Sequence, residues 1–268
     1  MIRIKNEKQI EGIRKSCRML SAMYRELIPL VQPDTETIEI DRWVQKWIKS
    51  RGGRPAFLGV VTNKIPYPAA ICISINNEVI HGIPSKRKIS SGDLVSLDCG
   101  IDLGGFISDQ AITLEAGRVN PEAHKLCTVT RECLYAGIAA ARSGGRLLSI
   151  SKAVYDHALE AGFGVVHQFC GHGVGLELWE DPQVSNIPRG PNPRLRGGMV
   201  LAIEPMINSG GGDVKILNDG WTVVTADSGL SAHWEHTIAI FADHTELLTE
   251  PVCGESAQVI DNVTIHEQ

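Results

Sequence analysis

The chain has 268 residues, 26 Lys and Arg against 31 Asp and Glu, a net charge of −5 and 43% hydrophobic residues. That length carries a sizeable core in one domain, and the composition is that of an ordinary globular protein. With no basic block, the chain lacks an electrostatic footprint for nucleic acid or an anionic membrane. No apolar run is long enough to span a bilayer, and the charged N-terminus, Met1 to Lys8, has no secretory signal. The seven cysteines, Cys17, Cys72, Cys99, Cys127, Cys133, Cys170 and Cys253, are scattered with no C-x-x-C spacing. A disulfide framework or thiolate zinc site is therefore not expected, and a cytoplasmic compartment is.

In chain order, a helix is predicted over about residues 6–31, with Ile10, Ile13, Cys17, Leu20, Leu27 and Leu30 as its apolar stripe and Pro33 as its stop. A second runs from about Thr37 to Ser50 and stops at Gly52-Gly53. A third starts at Asn120-Pro121, an N-cap followed by proline in the first turn, and closes at Gly144-Gly145. A fourth covers about 149–161. Strands are expected at 71–75, 78–81, 94–98, 106–114, 199–204, 221–226 and 234–241. This order predicts an α+β fold with a largely antiparallel sheet. Two helices followed by strands, repeated once, suggest two similar halves within a single domain spanning 1–268.

Five acidic or histidine side chains stand where apolar ones belong: Asp98, Asp109, His172, Glu204 and Glu235. Asp98 ends Leu94-Val95-Ser96-Leu97, Glu204 interrupts the apolar run Met199–Ile203, and Glu235 opens Thr237–Phe241. Buried carboxylates are costly unless paired or bound to a cation. A hairpin turning at Leu103-Gly104 sets Asp98 directly opposite Asp109; a turn at Gly104-Gly105 shifts the register by two and keeps both on one face. Like charges so placed repel unless a cation lies between them. For this pair alone, two solvated hairpin acids are the alternative. His172 lies between Gly171 and Gly173, which would let another group approach its ring. The alternatives are a core or surface histidine for His172, and a structural ion pair for Glu204 and Glu235. Taken together, oxygen donors with one imidazole suit Mn, Fe, Co or Zn at a catalytic site. Two such ions can activate water and polarise a carbonyl.

These stretches, with Cys72–Pro84 around His81, Asp219-Gly-Trp221-Thr and Ser231–Thr237, run in one order over nearly the whole chain. The chain resembles the type I methionine aminopeptidases. The resemblance implies a pita-bread fold of two pseudo-symmetric halves, helices outside a curved sheet. It implies two divalent metal ions (Co, Mn, Fe or Zn) held by Asp98, Asp109, His172, Glu204 and Glu235. Glu204 would assist as base, and His81 would contact substrate and help transfer protons. The partner would be the N-terminus of a peptide or nascent chain, with the ribosome as a candidate docking partner and a monomer as the working form.

Two departures stand out. The family usually carries a second histidine seven residues after the one matching His172, where it contacts the scissile carbonyl. Here Trp179 stands there, with one N–H donor and no proton to exchange. His233, two residues before Glu235, would share its strand face and is a candidate replacement. In the side-chain pocket, Pro55-Ala-Phe57-Leu-Gly-Val60 fits the place where the family often sets a small residue and, three residues on, an aromatic, with an apparent insertion at about 61–65 before Tyr67; Phe57 would narrow or reshape the pocket, and Leu178 replaces a usual aromatic. Tyr67, Cys72 and Trp221 remain as walls. The rival readings are an Xaa-Pro-type aminopeptidase of the same fold, and a weakly active or non-catalytic protein that binds peptide N-termini.

Overall fold

Four amphipathic helices form where the periodicity places them. The computed structural model describes residues 1–252 and 263–265; Cys253 lies outside these. Helix α1 spans Glu7–Leu27 and starts on a capping box, in which the Asn6 side chain accepts from the Gln9 N–H and the Gln9 side chain from that of Asn6. It ends four residues earlier than expected, because Pro29 turns the chain into a 3-10 segment at Ile28–Leu30. Helices α2 (Thr37–Ser50), α3 (Pro121–Ala140, capped by Asn120) and α4 (Leu147–Glu160) follow. Among the described residues, no helix is long and apolar enough to cross a membrane, and the described cysteines form no disulfide.

The strands that build the site are β1 (Ile71–Ile75), β2 (Leu94–Leu103), β3 (Phe106–Glu115), β4 (Cys170–Gly173), β5 (Glu180–Ser185), β6 (Val200–Ile203), β7 (Met206–Asn208), β8 (Ser231–His233), β9 (His236–Ile240) and β10 (Thr245–Leu247). In the first half, β2 lies between β1 and β3, antiparallel to both. In the second, the order is β5-β4-β6-β9-β10, antiparallel at each of these pairings, with Val263–Ile265 added parallel to β10 at the edge. Helix α1 packs on β2 and β3, while α3 and α4 pair with each other and cover the second half. One continuous apolar core, from Leu20 and Trp47 through Leu97 and Leu134 to Ile203 and Ile240, lies between helices and strands in both halves.

Several expectations are corrected. The β2–β3 hairpin turns at Gly104-Gly105, both at positive φ (65° and 90°), so Asp98 pairs with Ala111 and Asp109 with Gly100. The two acids are therefore offset by two residues on one face rather than directly opposite. Of the run 234–241 only β9 is strand, and Trp234-Glu235 separate it from β8. Trp221 precedes the strand Val223–Thr225, held in a turn by Asp219, which accepts from the Trp221 and Thr222 N–H groups and the Thr222 hydroxyl. The glycines beside His172 have a different purpose from the one expected. A Cβ on Gly171 would come within 2.3 Å of the Ala202 carbonyl oxygen, and one on Gly173 within 2.4 Å of that of Asp181. They let β4 fit between two strands, rather than clearing space over the imidazole.

The apparent insertion is a small hairpin, Val61–Thr62 with Ile65–Pro66, turning on Asn63 and Lys64 at positive φ. The N-terminal arm, which showed no pattern in sequence, clasps the start of β5 and the loop just ahead of it. The Met1 amine pairs with Asp181, Arg3 with Glu177 at 2.5 Å, and Lys5 with Glu180 at 2.7 Å, the last pair 1% exposed on each side. Burial opposes ionisation of Glu180, but the Lys5 ammonium and the N–H groups of Leu176 and Glu177 outweigh it and hold the carboxyl below its usual range.

Candidate metal centre and cleft

Strand register alone brings the site together. Directly opposed residues project to the same face of a sheet. Cys72 pairs with Asp98 and Asp98 with Ala111. Ala111 then bridges to Glu235, whose N–H donates to the Ala111 carbonyl at 2.8 Å. That bridge joins the two halves. Between β6 and β9, Ile203 pairs with His236, so one further step of the register sets Glu204 opposite Glu235. The outcome is one row across both halves: Cys72, Asp98, Ala111, Glu235, Glu204. A second row, two residues along, holds Gly100 and Asp109 in the first half and Ala202 and His172 in the second. The Thr237 hydroxyl secures the seam, donating to the Asp109 carbonyl at 2.7 Å and accepting from its N–H at 3.3 Å. Ala111 and Ala202 add little bulk to these rows, while at Gly100 a Cβ would come within 3.0 Å of the Phe57 ring and 2.9 Å of the Ser108 carbonyl oxygen.

The electrostatics call for a cation. Asp109 and Glu235 are each 3% exposed, Asp98 and Glu204 each 9%. Asp98 Oδ1, Asp109 Oδ1 and Glu235 Oε1 are buried without a hydrogen-bond partner. Burial pushes Asp98 up to about 7, further modulated by His233 and Glu204, and Glu204 up to about 7 against the pull of His172. Burial and the neighbouring carboxylates hold Asp109 and Glu235 well above the usual range. His172 donates from Nδ1 to the Gly173 carbonyl at 3.0 Å, which leaves Nε2 as a lone pair. Nε2 lies 3.5 Å from Glu204 Oε1 and 3.9 Å from Asp109 Oδ2, so the ring joins the carboxylates at one point. Ligand atoms of Asp109, His172 and Glu235 lie within 4.8 Å of one another. A divalent cation fits this donor set.

The cluster opens into a cavity of about 780 Å³. On the Asp98 side, Phe57, Tyr67, Ala69, Cys72, Leu178 and Trp221 pack into an apolar pocket, with Val60 against it. The Tyr67 hydroxyl donates to the Gly82 carbonyl at 2.9 Å, and its ring meets Trp221 edge-on. His81 sits at positive φ (60°) beside this pocket, its ring perpendicular to both Trp221 and Phe169. Burial, helped by His233, lowers its pKa to about 4, so the ring is neutral near pH 7. Trp179 stands at the cavity mouth, 49% exposed. His233 does not line the cavity: it is 1% exposed and lies beneath Glu204, which corrects the expectation of a substrate contact there. Phe169, Cys170 and Gln183 line the cavity and were missed. Gln183 alternates outward along β5, a pattern legible in Glu180–Ser185 once that strand is recognised.

The profile of metallopeptidase family M24 matches residues 11–242. The chain belongs to this family. It is 54% identical to a methionine aminopeptidase of Treponema pallidum, over 94% of this chain and 97% of that one. The crystal structure of a methionine aminopeptidase from Thermotoga maritima superposes with a TM-score of 0.89 at 38% identity, covering 94% of this chain and all of that one. A prolidase from Pyrococcus furiosus, at 24% identity and TM-score 0.76, shares the fold and is longer; this chain covers 66% of it. The fold is the pita-bread fold, as the resemblance implied.

The raised carboxyls make the metal-free protein sensitive to pH. Folded, these groups keep protons that the unfolded chain releases near pH 4, so their stabilising contribution is lost as pH rises through 7 and above. His81 and His233, both lowered by burial, act oppositely, but only below about pH 6.5, the unperturbed value for histidine. Between pH 6.5 and 8.5 the Tm of chelator-treated protein should therefore fall, and added Mn should raise it more at pH 8.5 than at 6.5. A Tm that stays flat or climbs over that window, measured by calorimetry, contradicts the cluster.

Proposed function

We infer that this chain is a metal-dependent methionine aminopeptidase acting on the N-termini of peptides or nascent chains, with residues 1–268 working as one catalytic unit. The observation that carries the reading is the row running from the apolar pocket at Cys72 through Asp98 to Glu235 and Glu204, at the floor of one cavity. A methionine side chain fits a pocket walled by Phe57, Tyr67, Cys72, Leu178 and Trp221. Asp98 adjoins that pocket, and so serves the end of the site where the substrate's free amine lies. We assign Asp98, Asp109, His172, Glu204 and Glu235 as ligands of two divalent ions, Co, Mn, Fe or Zn. Such ions supply a Lewis acid for the carbonyl and lower the pKa of water. Glu204, at the cavity floor beside His172, takes the proton of the attacking water and returns it to the leaving amine. Neutral His81 holds the substrate amide from the pocket side, while Phe169 and Trp221 exclude water around its ring. The chain works in the cytoplasm as a monomer, with the ribosome as the candidate source of its substrates.

Release of methionine from Met-Ala-Ser with Mn or Co tests the reading. The wild type should turn over and stop on chelation, while Asp109→Asn should lose metal and fall by at least about a hundredfold. Unchanged metal content and rate in that variant would remove Asp109 from the site. Faster cleavage of Ala-Pro than of Met-Ala-Ser would favour the proline-directed rival. Intact metal binding with no cleavage of either peptide would leave an N-terminus-binding protein.

Trp179 sets the expected efficiency. Its ring is at the mouth, where the family resemblance puts an imidazole against the carbonyl. A missing donor acts on the transition state, so Trp179→His should raise kcat by about tenfold or more with little change in KM. A kcat that stays flat or drops in that variant would show that the mouth works as it stands.

A further inference from the structure

We propose that His233 is a positioning residue for Glu204, its Nε2–H holding Oε2 from beneath while His172 stands at Oε1. This inference rests on the reading of Glu204 as a metal ligand and proton acceptor. The geometry is specific. His233 Nε2 is 3.6 Å from Glu204 Oε2, and His172 Nε2 is 3.5 Å from Oε1, so the carboxylate spans two imidazoles. The two rings have opposite characters. His172 has committed Nδ1 to the Gly173 carbonyl and offers a lone pair from Nε2. His233 is fully enclosed, and neither ring nitrogen has a partner. A buried imidazole is costly without at least one hydrogen bond, and Oε2 is the acceptor its Nε2–H faces. Hydrogen bonds at such sites are often long before substrate binds and tighten afterwards.

The fold holds His233 in place for this task. It lies one row below the metal row, since Met206 pairs with His233 in the register that sets Glu204 opposite Glu235. Its backbone is gripped by Thr113, which accepts from the His233 N–H at 2.9 Å and donates to its carbonyl at 2.8 Å, with Ser96 against the same hydroxyl at 2.8 Å. Glu204 itself follows the end of β6, its carbonyl accepting from the Asn186 side-chain amide at 3.0 Å, so the backbone is held and it is the carboxylate that His233 orients. An outer hydrogen bond that orients a ligand carboxylate is typically worth about 10–100-fold in metal affinity or activity.

The test compares His233→Gln, whose amide can still donate to Oε2, with His233→Leu, which cannot. Two readouts are taken on the full chain: Mn affinity by calorimetric titration, which needs no turnover, and kcat and KM for Met-Ala-Ser at saturating Mn. The Leu variant should bind Mn about tenfold or more weakly and lose about tenfold or more in kcat, with KM within about twofold. The Gln variant should stay within about threefold of wild type in all three. If the Leu variant does not fold, His233→Asn, too short to reach Oε2, takes its place with the same expectation. A Leu variant equal to wild type overturns the proposal. So does a Gln variant as impaired as Leu, which would reduce His233 to packing. Absence of turnover in the wild type would sink the proposed function, while the Mn titrations would still decide His233.

Discussion

Four carboxylates share one buried face at the junction of two half-sheets, and everything else in the structure accommodates them. The groups that bear on their ionisation are one another, His172, His233 and Cys17; none is a lysine or arginine. Like charges this close cannot all ionise without a counter-charge. The fold therefore either holds protons at the seam or holds a cation. The backbone bridge between Ala111 and Glu235 makes the choice structural as well as chemical, because it ties the halves together at the cluster itself, beside the pairing of Ile80 with Val223. A cation at that point would brace the seam and create the reactive centre in one step.

Much of this was legible in the residues. Buried acids that interrupt apolar runs signal their own expense, so Asp98, Glu204 and Glu235 stood out before any pairing was known. The helices followed from periodicity and caps, with α1 misjudged only where Pro29 tightened its last turn. The hairpin register needed the turn type, and Gly104-Gly105 admits two positive φ values where Leu103-Gly104 admits one without strain. What could not be read is the meeting of distant strands. Short strands such as β4 and β5 carry no hydrophobic run, since one is glycine-rich and the other alternates around charged residues. The clasp of Met1, Arg3 and Lys5 on the start of β5 and the loop before it joins residues some 175 positions apart, and nothing local announces it.

The pocket and the mouth show how unequal the departures are. Phe57 and Leu178 change the lining of a pocket that remains closed and apolar, so their effect is one of shape. Trp179 instead stands half exposed at the cavity mouth, in reach of whatever enters. The loop that carries both Leu178 and Trp179 is held by the N-terminal arm through the buried Lys5–Glu180 pair. The cavity lining at Leu178 and Trp179 is thus tied to the first residues of the chain, outside the strands that bear the clustered acids. His233 is the opposite case: a ring beneath the site, acting through the carboxylate above it.

The central claim, that the seam is built around divalent cations, is tested most directly by anomalous diffraction from crystals grown with Mn. The account predicts peaks bounded by Asp98, Asp109, His172, Glu204 and Glu235, at about 2.0–2.2 Å from their oxygen and nitrogen atoms. Fully active crystals with no peak at the seam, or with Mn bound only elsewhere, would contradict it.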